Sequence, residues 1–454
     1  MEKVMKTNKF IKFLSYQLFL VLVVSLVFIL SCAGYTQQEK EIKAIRYTQQ
    51  EPVNIDPAVG SEYSSTIAIC NLYDTLVFPN IDGSVKPWLA KDWEISEDGL
   101  TYTFELIPGI KFHNGDEVTA DDVVFSLERI ITIGEGYGYL FGTSVEGAKA
   151  PEKYKVQFTL KDTFGPFLGA LVRLNILNDS QVMENIKEGP YGEFGDYGKE
   201  WLAIHDAGSG PYKIKDKRTG EYVLMEKFND YWAGWENKDA PQYVKQISTT
   251  EAVSVRTLMA RGKLELTDNW QSKENIVAMG KLPNTEVSTF FEGSIMNIML
   301  NTKKPPTDDI HFRKALAYCV DYQQIIDRIF PGSRPSGPVG PGTPGSNPNL
   351  ELYTLDLAKA EEEIKQSSYY GKLDQYPIEL HWVADVPDRE QISLMVQSNA
   401  AKIGIKVEVV KMPWLSIINN MAKLETTPHG SVITASPHYA EAGSLLEARY
   451  HSNS

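Results

Sequence analysis

The chain has 454 residues, 45 Lys plus Arg against 59 Asp plus Glu, 43% hydrophobic side chains and three cysteines. At roughly 100–200 residues per domain, this length holds about two to four domains with ample core, which excludes a disordered, fibrous or disulfide-dependent chain. A net charge of −14 without a basic stripe excludes a non-specific nucleic-acid binder, which needs clustered Lys and Arg to displace counterions from phosphate.

The N-terminus differs from the rest. Lys3, Lys6, Lys9 and Lys12 precede the apolar run Leu18–Leu30, which is short for a bilayer span and reads as a secretory signal over residues 1–31. Ile29-Leu30-Ser31-Cys32-Ala33-Gly34 resembles a bacterial lipobox, although Leu30 is bulkier than the residue usual there. The resemblance implies that Cys32 is the lipidated first residue of the mature chain, followed by a polar tether over 32–40; an uncleaved anchor is the other reading. Without residues 1–31 the count is 41 basic against 58 acidic, a net of −17. Cys70 and Cys319 sit in apolar helical contexts and are expected as buried free thiols.

The predicted elements begin with a strand near 42–47 and a helix at about 64–73. Glu97-Asp98-Gly99 predicts a tight turn into the alternating strand 101–106. Thr119 followed by Asp121 and Asp122 starts a helix over about 120–131. The run Gly134–Gly138 lacks a preceding strand and a phosphate-binding lysine, and is expected as a flexible loop. Strands follow at 154–160 and 222–227, with Gly208-Ser209-Gly210-Pro211 forcing a turn, then a helix near 252–261. From about 295 the pattern restarts with strand 295–300, helix 310–329 and a Pro/Gly-rich loop over 331–348. Helix 356–366, strand 378–383, helix 389–402 and strand 406–411 complete it; the last three form a β-α-β unit with parallel strands. The fold class is α/β, with one lobe over 41–290, carrying an insertion at about 74–205, and a second over 291–434.

Catalytic signatures are absent from the sequence. There is no G-x-S-x-G elbow, and the seven histidines show no metal-ligand spacing. No enzyme activity, cofactor or metal is expected.

The continuous text is more informative. Asn71-Leu72-Tyr73-Asp74-Thr75-Leu76, Lys86-Pro87-Trp88-Leu89-Ala90, Asp98-Gly99-Leu100-Thr101-Tyr102-Thr103-Phe104 and Phe112-His113-Asn114-Gly115 resemble the family 5 extracellular solute-binding proteins of ABC importers. So do Gly208–Tyr212, Asn229-Asp230-Tyr231-Trp232, Arg313–Ala317 and Ile403–Val407. A minor departure is Ile107, where the family usually carries a basic residue. The resemblance implies a two-lobed periplasmic-binding-protein-like fold (type II, large cluster) whose hinge closes over a peptide or other small polar solute. It further implies delivery to an ABC permease. Asp74, Gly99, Gly115 and Asp122 are read as turn and cap residues.

Ligand candidates lie near the lobe boundary. The family often holds a peptide amino group with the aspartate of a Trp-x-x-Asp-Tyr-like segment. The matching stretch here is Ala435-Ser436-Pro437-His438-Tyr439, which places His438 at the aspartate and Ala435 at the tryptophan; Glu441 is the nearby carboxylate. Tyr63, Trp270, Trp382, Trp414 and Tyr439 are the aromatic candidates, since stacking needs a broad apolar plate with a polar edge. Asp268 is placed either to accept a ligand donor or to cap a strand. Alternative readings are oligosaccharide or opine binding, a secreted enzyme on the same shell, or a sensory receptor. Residues 435–454 are expected as the start of a return segment that stops without a terminal strand or helix, as in a truncated chain.

Overall fold

The computed structural model describes residues 44–451 apart from Val53, Ile81, Phe291, Glu292, Gly293, Pro331, Asp385 and Ala422. The export signal, Cys32 and the tether lie outside the described residues.

The described chain opens with β1 (Ile45–Gln49) and α1 (Tyr63–Leu72). α1 buries Ser65, Ala68, Ile69 and Leu72, a 3–4 spacing that makes one stripe. Cys70 falls off that stripe and is exposed, contrary to expectation, whereas Cys319 is buried; both are free. The hairpin β2 (Val77–Pro79) and β3 (Val85–Pro87) leads to β4 (Ala90–Ile95) and β5 (Thr101–Leu106). Between β4 and β5, Gly99 takes φ +71° and Asp98 Oδ1 accepts from Leu100 N at 3.0 Å, the predicted turn.

α2 (Ala120–Ile133) begins at Thr119, whose backbone N–H and Oγ1 donate to Asp122 at 2.8 and 2.9 Å. The glycine run after it is a loop, as expected, and it is closely packed. Gly134 caps α2 in the left-handed region at φ +67°, a Cβ on Gly136 would stand 3.0 Å from Ala58 O, and α3 (Gly138–Gly142) follows at once. β6 (Val145–Glu152) and β7 (Lys155–Leu160) complete an antiparallel sheet in the order β4-β5-β7-β6. Its alternating Tyr102, Phe104, Val156 and Phe158 pack with Val123 and Leu127 of α2 in one core.

α4 (Asp179–Glu184) and α5 (Lys199–Leu202) precede β8 (Tyr212–Arg218), β9 (Tyr222–Lys227) and β10 (Tyr243–Ser248). These join β1 in a sheet ordered β1-β10-β9-β8, with β1 parallel to β10. α6 (Ala252–Ala260) and α7 (Lys273–Met279) then lead to the last sheet.

The last sheet and its helices are β11 (Ile295–Leu300), α8 (Ile310–Tyr318), α9 (Leu357–Gln366), β12 (Ile378–Val383) and α10 (Pro387–Ala401). β13 (Val407–Met412), α11 (Trp414–Met421) and β14 (Gly430–Ala435) complete it. The sheet order is β11-β14-β12-β13, and β12-α10-β13 is the predicted parallel unit. The helix expected over 310–329 is interrupted after Tyr318: Asp321 accepts from Gln324 N at 2.9 Å, and Ile325–Ile329 winds as a π-helix. A short acidic side chain that bonds the backbone ahead of it starts a new turn instead of continuing the old one. Within residues 435–454, where no terminal helix was expected, α12 (Ala442–Tyr450) forms and buries Ala442 and Leu445. Among the described residues no helix is long and apolar enough to cross a membrane.

Four of the sequence motifs converge on Asp74. This buried carboxylate accepts from Trp88 Nε1 at 2.8 Å, Trp232 Nε1 and Ser209 Oγ at 2.9 Å, and Tyr231 Oη at 3.1 Å. Burial still pushes its pKa up despite the four donors. The glycines flanking Ser209 have no room for a side chain: a Cβ on Gly208 would lie 1.9 Å from Leu72 O. Gly208→Ala is therefore expected to lower stability by about 3 kcal/mol through forced backbone displacement. A thermal midpoint equal to that of the parent would refute this.

Candidate functional site

The predicted ligand residues fall into two groups. The first surrounds Trp270, whose indole Nε1 donates to Gln49 Oε1 at 2.9 Å and whose ring meets Tyr63 edge-on at 5.7 Å. Tyr63 is 42% exposed at the start of α1. Asp268 is buried, with both oxygens engaged: Thr48 Oγ1 donates at 2.9 Å, Trp270 N at 3.0 Å and Gln271 Nε2 at 3.0 and 3.1 Å. Burial pushes its pKa up. Trp414, the first residue of α11, packs beside Trp270 on Val383, Val386 and Ile417. Trp382 is buried in β12, with Lys411 Nζ 5.4 Å from its ring centroid, and belongs to neither group.

Sequence reasoning missed the charge in this group. Arg389, on α10, is only 4% exposed; its guanidinium stands 5.1 Å from the Trp270 ring centroid and Nη2 donates to Thr434 Oγ1 at 3.1 Å. Its Nε is buried without a partner, and no carboxylate lies within ion-pair distance among the described residues. Burial pushes Arg389 down to about 10 and the adjacent Asp388 up to about 6. A buried cation with unused donors is costly unless something anionic meets it. The signal was present in the sequence, since Arg389 lies on the buried stripe Arg389, Ile392, Val396 and Ala400.

The second group lies on the return segment. His438 Nδ1 meets Tyr139 Oη, its ring lies 5.5 Å from that of Tyr137, and its carbonyl accepts from Arg173 Nε at 2.6 Å. Tyr439 is buried against the first-lobe core, facing Gly169. Glu441 Oε2 is buried without a partner. His438 thus joins the return segment to the first lobe through residues that no motif picked out. Tyr63 and Cys70 are seven residues apart, which places them on one face about 10 Å apart, and Arg173 lies within electrostatic reach of Cys70.

The family model "Bacterial extracellular solute-binding proteins, family 5 Middle" matches residues 84–452. The chain belongs to that family of solute-binding proteins. A probable D,D-dipeptide-binding periplasmic protein of Escherichia coli (strain K12) is 28% identical over 380 residues, 80% of this chain and 69% of that protein. The structure of a Helicobacter pylori periplasmic binding protein in complex with the peptide STSA superposes with a TM-score of 0.77 at 24% identity, covering 89% of this chain and 80% of that one. A binding protein from A. tumefacien R10 in complex with agropinic acid gives 0.75 at 23%, covering 89% and 79%. The two-lobed periplasmic-binding-protein fold of these neighbours is the fold of this solute-binding protein.

Burial and the charges of Arg449 and Arg173 push His438 down to about 4. Below the ordinary value of 6.5 the unfolded chain takes up a proton that folded His438 refuses until about pH 4, so stability falls as pH drops through that window. The loss attributable to His438 is expected to reach about 3 kcal/mol. Asp122 and Asp388, both raised to about 6, act in the opposite sense, so the difference between parent and His438→Gln is the quantity to measure. Urea unfolding from pH 7 to 4 should show a shallower loss in the variant; parallel curves would refute the assignment.

Proposed function

We propose that this solute-binding protein captures a peptide or a comparable carboxylate-bearing solute outside the cytoplasmic membrane and delivers it to an ABC permease. In this reading it is tethered through lipid on Cys32, with the lobe boundary near residue 290 and the return segment from 435. The observation that carries the ligand chemistry is Arg389, a buried guanidinium with unused donors beside Trp270. Such a fork pairs two parallel N–H donors with a carboxylate. Glu441 Oε2, buried and unpartnered, supplies an acceptor for an ammonium group. Tyr63, Trp270 and Trp414 would furnish the apolar walls, with Trp382, Tyr439 and Asp268 holding the surrounding structure. His438 would act as a contact between the return segment and the first lobe.

The peptide reading draws support from the dipeptide-type relative and the peptide-bound neighbour. A neighbour of this fold is in complex with agropinic acid, and Arg389 would suit an acid of that kind equally. Thermal unfolding of the mature protein against di- and tripeptides, opines and neutral oligosaccharides tests the proposal, since a ligand at 100 times its Kd adds about 2.7 kcal/mol. Stabilisation by carboxylate-bearing ligands and not by neutral sugars is expected. A response to neutral sugars alone, or to none of these solutes, would overturn it.

A further inference from the structure

We infer that a second ligand site, sharing no lining residue with the cleft, lies between β8 and the end of α5 and takes a small soluble oxyanion, a carboxylate or phosphate. A cavity of about 360 Å³ opens there, lined in part by Trp201, Asp206, Lys213 and Lys217. The acids in its wall are already engaged. Asp206 meets His113 Nδ1 and accepts from Ile214 N at 2.7 Å. Asp216 accepts from Tyr222 Oη at 2.5 Å and stands 3.6 Å from Arg218.

The lysines are not balanced in the same way. Lys215 pairs with Glu226 at 3.2 Å, but Lys217 Nζ has only the carbonyl of Ala203, at 2.8 Å, as its partner among the described residues. Lys213 Nζ stands 6.0 Å from the Phe228 ring centroid and forms no ion pair among the described residues, with Glu226, already paired to Lys215, the carboxylate within its electrostatic reach. Burial lowers the pKa of Lys217, the cost of an ammonium desolvated with no carboxylate in ion-pair range among the described residues, and Glu51 offsets part of that cost from farther away. An oxyanion between the two lysines would supply that charge where water is partly excluded and the attraction is strongest.

The remaining walls are rigid and suit a compact, partly apolar ligand. His113 is held at both nitrogens, by Asp206 and, at 2.9 Å, by Gly210 O. The Trp201 indole stacks on His205 at 4.9 Å and 6°, a flat face for the apolar side of a small acid. The cavity lies at the small end of the usual range for ligand sites.

Isothermal titration of the full chain with inorganic phosphate and, separately, benzoate tests the site. Binding of at least one probe at about 1 mM is expected. Lys217→Met should weaken it about ten-fold and Lys213→Gln several-fold, while Arg389→Met leaves it unchanged. Circular dichroism confirms that each variant is folded, and the half-buried Lys213→Gln, which keeps a polar side chain, decides the matter if Lys217→Met is not. No heat with either probe, unchanged affinity in the folded lysine variants, or loss in Arg389→Met would each overturn the site. The last result would place the anion in the cleft and leave the proposed transport function standing.

Discussion

Arg389→Met is expected to raise the Kd for a carboxylate-bearing ligand by about 150-fold, equivalent to about 3 kcal/mol, while leaving the free protein as stable as the parent or slightly more so. The two effects have one cause. In the free protein the guanidinium is buried, bonded to Thr434 and left with an unpartnered Nε, so its desolvation is poorly compensated. Methionine fills a similar volume without a charge and can pack on Trp270. With ligand bound, the same donors would be matched by a carboxylate, and the variant loses a charge-assisted fork that no other group replaces. Arg389→Lys should fall between, because an ammonium is a point charge without the fork. Titration of peptide into each variant, with thermal midpoints of the free proteins alongside, checks both arms. Parental affinity in Arg389→Met would remove Arg389 from the site.

Asp74→Ala is expected to cost about 4 kcal/mol, a large share of the roughly 5–15 kcal/mol typical of a folded domain. Two indole N–H groups cannot turn away from the lost acceptor, whereas the Ser209 and Tyr231 hydroxyls can rotate in part, so the cost falls short of four full desolvation penalties. Asp74→Asn should lose about half as much, since it keeps one acceptor oxygen and turns an amide toward facing donors. Ligand affinity of the remaining folded protein should be unchanged, which separates this buried hub from a binding residue. A urea midpoint for Asp74→Ala implying less than about 1 kcal/mol would dismiss the hub as a stabilising feature.

These two residues show where the sequence was legible. Asp74, Trp88, Ser209, Tyr231 and Trp232 were all visible as motif residues, because a carboxylate between indoles fixes local text at each contributing segment. What the text concealed was that segments up to 158 residues apart share one carboxylate. Arg389 was hidden for the opposite reason. It sits in no motif, and its burial follows from helical phase together with the approach of Trp270 and Thr434 from other elements. Cys70 was misread because apolar neighbours in sequence do not fix which face of α1 meets the core. The glycine run after α2 is the loop that its composition suggests, but close approach to Ala58 requires glycine there, a demand that looks in sequence like looseness.

Sequence alone determined the α/β class, the strands at 101–106, 222–227, 295–300 and 378–383, the β-α-β unit and the family, all of which rest on local periodicity, turn chemistry and continuous motifs. Tertiary structure alone decided how the candidate residues group. Tyr63, Trp270 and Arg389 come from α1, the segment after β10 and the second lobe, and His438 reaches Tyr139 across 299 positions. Which charges are matched and which stay unpaired, Arg389 and Lys217 among them, depends on desolvation by distant neighbours, and no local pattern encodes that.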